Sequence, residues 1–386
     1  MSSLSHACNI ADLRRIARRR LPRPIFDYID GGADDEVSLD RNRSAFDGHA
    51  LVPDALVDVS AIRTATTLFG QPVGSPLMLS PTGLTRMFHG GAERAVARAA
   101  ARHGLAYALS TMGTTRLEDL AAGFAGPRIF QIYIFKDRGL TAEFVARCKA
   151  AGFHGLALTV DTVVAGNRER DRRNGLSIPP RLTWRSMLSF AMHPRWSLST
   201  LLSSPFDFPN VSHRVDALAG GPMSLFDYIG GQFDRSIVWK DVEWLAGQWG
   251  GPLSIKGLMT PGDAKRAIAS GATSVTVSNH GGRQLDGTPA PVDRIAAIRD
   301  ALGPGPEIVC DGGIRRGSDI VKALALGATA CSIGRPYLYG LAAGGEAGVD
   351  RALTLLVEEF ERCLALLGVN DIAALEPRHV RPCGVK

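Results

Sequence analysis

Between Ser278 and Asp286 the chain reads SNHGGRQLD, which puts an imidazole, a guanidinium and two adjacent glycines within one short stretch. An imidazole can take or return a proton near neutral pH, and a guanidinium can hold a carboxylate through two parallel N–H groups. His280 and Arg283 supply these two chemistries. The preceding ATSVTV, residues 272–277, is small and β-branched, the pattern of a short buried strand. Both groups therefore emerge where a strand stops, which is where α/β proteins bind their ligands.

Other residues extend this chemistry. Asp161 ends a second apolar stretch and could orient His280 as a base; a lone histidine would more often be structural. Arg168 and Arg283 together suit a carboxylate, with Tyr28 or Tyr133 donating to it or to a neighbouring hydroxyl, and a surface salt bridge to Glu169 or Asp171 is the plain alternative for the arginines. Lys256, in SIKG, is one of only seven lysines, and burying its ammonium is expensive without a negative partner. That partner is either an anion developing on a cofactor ring or, on a rival reading, a carbonyl substrate captured as a Schiff base. DGGIRRG (311–317) and SIGRP (332–336) offer backbone N–H groups, Arg315, Arg335 and helix N-termini, the recurrent makings of a phosphate site. No GxSxG, HExxH or P-loop string occurs, and the six cysteines show no zinc spacing, so neither a hydrolase elbow nor a metal is expected.

The elements that must position these groups repeat one pattern: an apolar strand, a turn rich in glycine, serine or aspartate, then an amphipathic helix. Strands are expected at 76–79, 105–109, 128–132, 156–160, 252–255, 274–277, 307–310 and 330–333. Helices are expected at 91–103, 115–122, 139–151, 240–249, 261–270, 291–302, 317–326 and 349–367. Such a series closes into an α/β fold of the (β/α)8 barrel type, and the GxGxxG of a doubly wound sheet is absent. Polar residues fall at every strand end, so a closed barrel would gather them around one ligand. One domain spans 1–386, with an N-terminal segment (1–74, a helix and a loop carrying Tyr28), the barrel (75–367) and an insertion at 162–239.

Composition agrees with a globular α/β enzyme: 45% hydrophobic, 21% charged, 43 glycines. The net charge of +6 is carried by scattered arginines, which argues against a nucleic-acid track. The arginine-rich N-terminus has a helical apolar face that predicts docking on the domain, and no apolar run is long enough to span a membrane. A cytoplasmic setting follows as an expectation. Within the insertion, Trp184, Met187, Phe190, Met192, Trp196, Leu198, Leu201, Leu202, Phe206 and Phe208 interleave with Arg181, Arg185 and Arg195. This fits a lipid interface on the inner face of the cell membrane, or equally a lid packed on the barrel or on a neighbouring subunit.

The motifs FDYIDGGADDE, SPTGL, FQIYI, LTVDT with GNRERD, IKG, SNHGGRQLD, DGGIRRGSDIVKALALGA and IGRPYLYGLAAGGEAGV, in this order and over nearly the whole chain, resemble the FMN-dependent L-2-hydroxy acid dehydrogenases and oxidases. The resemblance implies FMN as cofactor. It implies that His280 takes a proton from substrate, that Asp161 pairs with it, that Arg168, Arg283 and Tyr28 hold the carboxylate, and that Tyr133 meets the hydroxyl. Lys256 would stabilise the reduced ring. Pro81, Thr82, Gly83, Ser110, Gln131, Thr159 and Ser278 would line the ring, while Asp311, Gly312, Gly313, Arg315, Gly334 and Arg335 would hold ribityl and phosphate. Gly83 stands where oxidases of that family carry alanine, so the resemblance points to a dehydrogenase passing electrons to a membrane quinone, with an oxygen-using, peroxide-forming oxidase as the alternative. A homotetramer, with the insertion touching the membrane, is likewise implied.

Overall fold

The computed structural model describes residues 4–176, 183–202, 207–212 and 231–383. Eight parallel strands close into a barrel: β1 (Leu77–Leu79), β2 (Ala106–Ser110), β3 (Arg128–Ile132), β4 (Gly155–Thr159), β5 (Leu253–Leu258), β6 (Ser274–Ser278), β7 (Glu307–Asp311) and β8 (Ala330–Ile333). Closure is made where Cys331 of β8 pairs with Leu77 of β1. The helices that follow each strand are α1 (Ala92–Arg102), α2 (Leu117–Gly123), α3 (Arg138–Ala150), α4 (Trp239–Trp249), α5 (Pro261–Ala269), α6 (Ile295–Leu302), α7 (Gly317–Ala325) and α8 (Arg335–Leu367). The expected (β/α)8 barrel is the observed fold.

Strand alternation sorts the core into two parts. Met78, Ala106, Ala108, Ile129, Ala157, Val309 and Ala330 form one buried cluster with Leu68, Phe69 and Val73. These last three come from a hairpin, Thr66–Leu68 with Gln71–Val73, where Glu307 at the start of β7 accepts from the Phe69 N–H at 2.9 Å. The alternate residues, among them Leu77, Leu79, Tyr107, Leu109, Phe130 and Ile132, belong to the larger core shared with the helices. Local signals mark several helix starts: Asp137 accepts from Leu140 N–H before α3, and Thr260 accepts from Asp263 N–H before α5, where Pro261 occupies the first turn.

Four expectations change. The final helix begins at Arg335 rather than 349, because α8 is two helices joined at a break where Gly344 and Gly345 leave helical geometry. Strand β5 runs on to Leu258, so Lys256 lies within it and not at its end; the pairing with β6 shifts between Lys256 and Leu258. The N-terminal segment holds three α-helices, Ile10–Arg20, Arg23–Asp30 and Val37–Ser44, and Tyr28 sits on the second of them, not in a loop. Pro24 in the first turn and Gly31 at the C-terminal cap delimit that short helix. The first helix buries Ile10, Leu13, Ile16 and Ala17 and packs on α8, as its apolar face predicts.

In the insertion, helices at Trp184–Ala191 and Pro194–Leu201 are docked by one face only. Arg23 N–H donates to Ser189 Oγ at 2.9 Å, Trp196 Nε1–H donates to the Met87 carbonyl at 3.0 Å, and Phe190 stacks on Trp196 with centroids 5.5 Å apart. The other face is apolar and open: Trp184 is 70%, Leu201 80% and Leu202 79% exposed, with Met187, Leu188, Met192 and Leu198 beside them. These side chains are exposed among the described residues, open to a lipid interface or to a neighbouring subunit. Phe208, by contrast, is fully buried in the core, while Arg181 and Phe206 lie outside the described residues.

Candidate active site

The C-terminal ends of the strands open into a single cavity of about 1330 Å³, more than the roughly 300–1,000 Å³ usual for one small ligand. Its floor is polar and cross-bonded. Lys256 Nζ donates to Ser278 Oγ at 2.9 Å and forms a short ion pair with Asp311 Oδ2. Asp311 also accepts from Ser80 Oγ at 2.7 Å and Ser278 Oγ at 2.8 Å. Burial alone would push the Asp311 carboxyl up, but the Lys256 ammonium and these three donors outweigh it and hold the carboxyl below its usual range. Lys256 thus has a carboxylate partner that sequence reading did not foresee. Ser110 Oγ donates to Gln131 Oε1 at 3.0 Å, continuing the polar floor across β2 and β3.

Above the floor, His280 Nδ1 meets Asp161 Oδ1 at 2.9 Å. The side chains come from the loops after β6 and β4, 119 residues apart in the chain. Desolvation pushes the Asp161 carboxyl up, yet the His280 and Lys256 charges more than offset it and the group stays below the ordinary range. His280 itself has φ of +57°, in the left-handed region that costs a side-chain-bearing residue energy, and Gly281 and Gly282 follow at +67° and +74°. Gly282 is required: a Cβ there would stand 2.6 Å from the Leu39 backbone nitrogen.

Six arginines line this cavity without an ion-pair partner among the described residues; Arg172 and Arg235 are exposed, whereas Arg168, Arg283, Arg315 and Arg335 are partly shielded from solvent. Arg283 donates to the carbonyls of Tyr28 (2.7 Å) and Gly31 (3.0 Å) and lies 5.0 Å from the Tyr28 ring centroid. Arg168 lies 5.9 Å from the same ring, and its buried Nε has no hydrogen-bond partner. The alternative of a surface salt bridge from Arg168 is not what forms. The Arg315 guanidinium donates to the adjacent Ile314 carbonyl, and Arg335 spends its donors on the carbonyls of Ile29, Gly31 and Gly281. Burial drives Arg283 down to about 9 and Arg315 down to about 10, with nearby arginines adding to the effect. Cations enclosed in this way call for anions.

Beside Arg315, Gly312 and Gly313 have φ of +146° and +80°, and Gly313 is packed so that a Cβ would stand 1.9 Å from the Asn42 carbonyl oxygen, whereas at Gly334 the backbone is open and a Cβ would meet nothing nearer than 3.8 Å. A phosphate can approach such main chain closely. On the opposite wall, Pro81, Thr82 and Gly83 face Met112, and a Cβ on Gly83 would come within 2.9 Å of the Met112 Cβ. Thr159 and Tyr133 complete the lining, Tyr133 packed edge-on to Phe233 at 4.9 Å, and burial pushes its hydroxyl well above the usual phenol range. The residues named from the sequence as site residues line this one cavity, except Asp161 and Ser278, which stand behind it on His280 and Lys256.

The residues from 17 to 382 match the model of the FMN-dependent dehydrogenases. The chain belongs to the FMN-dependent dehydrogenase family. An L-lactate dehydrogenase of Xanthomonas euvesicatoria pv. vesicatoria is 43% identical over 369 residues, 95% of this chain and 94% of the relative. Among solved structures, a monotopic membrane protein, (S)-mandelate dehydrogenase, superposes with a TM-score of 0.93 at 38% identity, covering 97% of this chain and 99% of that one. A mandelate oxidase crystallised with (S)-4-hydroxymandelic acid superposes at 0.83 with 34% identity over 97% and 98% of the two chains. The cavity fits the family's cofactor, since it combines Arg315, without an ion-pair partner among the described residues, open main chain at Gly334 and the buried Lys256 ammonium. FMN is the cofactor of this FMN-dependent dehydrogenase.

Several organising residues were passed over in the sequence. Asn42 and Asn279 exchange two side-chain hydrogen bonds of 2.8 Å, tying the helix Val37–Ser44 to the His280 loop. Asp286 caps that helix by accepting from Val37 and Ser38 N–H. Glu93, fully buried in α1, accepts from Thr114 N–H and from the Thr114 and Thr115 hydroxyls, and so holds the turn after Met112. Asp171 lines the cavity, its carboxyl pushed up by burial against the pull of Arg283 and Arg168. Asn279 and Asp286 stood in view within SNHGGRQLD; Asn42 and Glu93 carried no local signal.

Proposed function

We propose that this protein oxidises an L-2-hydroxy acid of the lactate or mandelate type to the 2-keto acid. The observation that carries the reading is the placing of the His280–Asp161 pair, 2.9 Å apart, in one cavity with Arg168 and Arg283, neither of which has a carboxylate of its own. Arg168 and Arg283, with Tyr28, bind the substrate carboxylate, and Tyr133 contacts the hydroxyl. With Nδ1–H given to Asp161, the free His280 Nε2 faces substrate as an acceptor and takes a proton from it, and Asp161 stabilises the resulting imidazolium. When bound, FMN supplies a two-electron acceptor, and Lys256 places fixed positive charge where negative charge grows. Pro81, Thr82, Gly83, Ser110, Gln131, Thr159 and Ser278 hold the ring, while Asp311, Gly312, Gly313, Arg315, Gly334 and Arg335 hold ribityl and phosphate.

Electrons then pass to a quinone in a membrane on which the open apolar face of 184–202 rests, the protein being a peripheral homotetramer on the cytoplasmic side. Support comes from that exposed face and from a mandelate dehydrogenase relative described as monotopic. No helix among the described residues is long and apolar enough to cross a membrane. Glycine at position 83, where the oxidases that this sequence resembles carry alanine, favours a dehydrogenase over an oxidase, since a Cβ there would press on Met112 at 2.9 Å. Anaerobic titration of the yellow protein with L-lactate, (S)-mandelate and glycolate tests the reading: bleaching by one of them is expected, and a flavin untouched by all three sinks it. Fast reoxidation of the bleached protein by air, with peroxide formed, would make it an oxidase instead.

A further inference from the structure

We infer that Gln284 is a positioning residue that sets the two substrate loops in register. The inference rests on the hydroxy acid reading above. The proposed pairs are divided between loops: Asp161 and Arg168 follow β4, whereas His280 and Arg283 follow β6. Neither the proton-accepting pair nor the arginine pair exists unless these loops hold a fixed relation. Among the described residues no backbone hydrogen bond joins them directly. The Gln284 amide does. Its Nε2 donates to the carbonyls of Asp161 and Val164, each at 2.8 Å, and its Oε1 accepts from Gly166 N–H at 3.1 Å. Both amide donors and an acceptor site are thereby used on one loop, and the side chain is buried.

The grip falls where it matters. Among the described residues, the only hydrogen bond of the Asp161 carboxylate is the one to His280, since Oδ2 is buried without a partner. What aims this carboxylate is therefore its backbone, and the carbonyl of that same residue is what Gln284 holds. The loops are also pressed together, for a Cβ on Gly166 would stand 2.2 Å from the Arg283 carbonyl oxygen. Two residues beyond Gly166 lies Arg168. One amide thus aligns Asp161 with His280 and Arg168 with Arg283.

The experiment uses the FMN-loaded protein with Gln284→Met, which keeps bulk and removes all three bonds, and Gln284→Glu, which keeps the acceptor and removes the donors. Measured are flavin content, the anaerobic rate of flavin reduction per bound flavin, and binding of oxalate, an unoxidisable dicarboxylate, through its change of flavin absorbance. Expected are normal flavin content, weaker oxalate binding, and a rate reduced on the order of 10²-fold in the Met variant, the scale of a small misplacement of reacting groups. In an Asp161→Asn background the same substitution should cost much less, because both changes act through one carboxylate. A rate per flavin equal to wild type in whichever variant folds, or an undiminished loss in the Asp161→Asn background, overturns the inference. Failure of any 2-hydroxy acid to reduce the wild-type flavin would instead overturn the functional reading.

Discussion

The mouth of the barrel and the insertion depart from ordinary globular design in opposite directions. The mouth encloses charge: Lys256, Asp311, Arg168, Arg283, Arg315 and Arg335 line one cavity, with Asp161 behind His280. The insertion exposes hydrocarbon, with Trp184, Met187, Leu188, Met192, Leu198, Leu201 and Leu202 facing outward from two short helices. Enclosed charge is costly unless a ligand or partner balances it, and contiguous exposed apolar surface marks something that must cover it. Each region is incomplete in the chemical sense opposite to the other. Among the described residues the mouth arginines lack ion-pair partners and the outer face of the insertion lacks an apolar neighbour, and the proposed grip on an organic acid beside a membrane would supply both.

The sharpest way to break this contrast is at His280. His280→Ala should leave the yellow colour intact and slow flavin reduction by roughly 10²–10⁴-fold, the usual share of a positioned base, as read by anaerobic stopped flow. Undiminished reduction would take the histidine out of the chemistry. The next effect is at the floor. Lys256→Met leaves Asp311 buried without its cation, a loss of about 3–5 kcal/mol, and should lower the melting temperature as well as flavin affinity.

That pair also sets an acid limit. Asp311 has a lowered carboxyl in the fold, so the stability it lends is complete above its unfolded value of about 3.9 and fades only as pH falls below that, through the lowered one. Melting curves of wild type and Asp311→Asn should therefore converge at strongly acid pH and separate through neutrality; equal spacing at every pH would speak against it. At the rim, Arg283→Lys keeps charge but loses the fork, and a cost of about 1.5–3 kcal/mol in oxalate or substrate binding is expected, with flavin content unchanged. The smallest effect on chemistry belongs to the insertion. Leu201→Ser with Leu202→Ser should release the protein from vesicles in a flotation assay while turnover with a soluble dye acceptor stays at the wild-type rate; retention on vesicles would leave the apolar face to another partner, such as a second subunit.

Much of this was legible in the residues themselves. The eight strand and helix alternations, the polar residues at strand ends and the string SNHGGRQLD determined the barrel, the mouth and its chemical groups, because strand periodicity and strand termination are local properties. Most boundaries were legible to within a residue or two; β5 runs three residues further than expected, α6 starts four residues later behind a 3-10 turn, and at α8 the pair Gly344 and Gly345 breaks one helix into two and hid the first half. Tertiary structure alone decided who meets whom. That Lys256 pairs with Asp311 across 55 positions, that Asn279 is held by Asn42 across 237, and that Gln284 grips the Asp161 carbonyl across 123 are consequences of barrel closure and loop packing. Hydrogen bonds act over about 3 Å, and residue order along the chain carries no such distance until the barrel brings distant strand ends around one mouth.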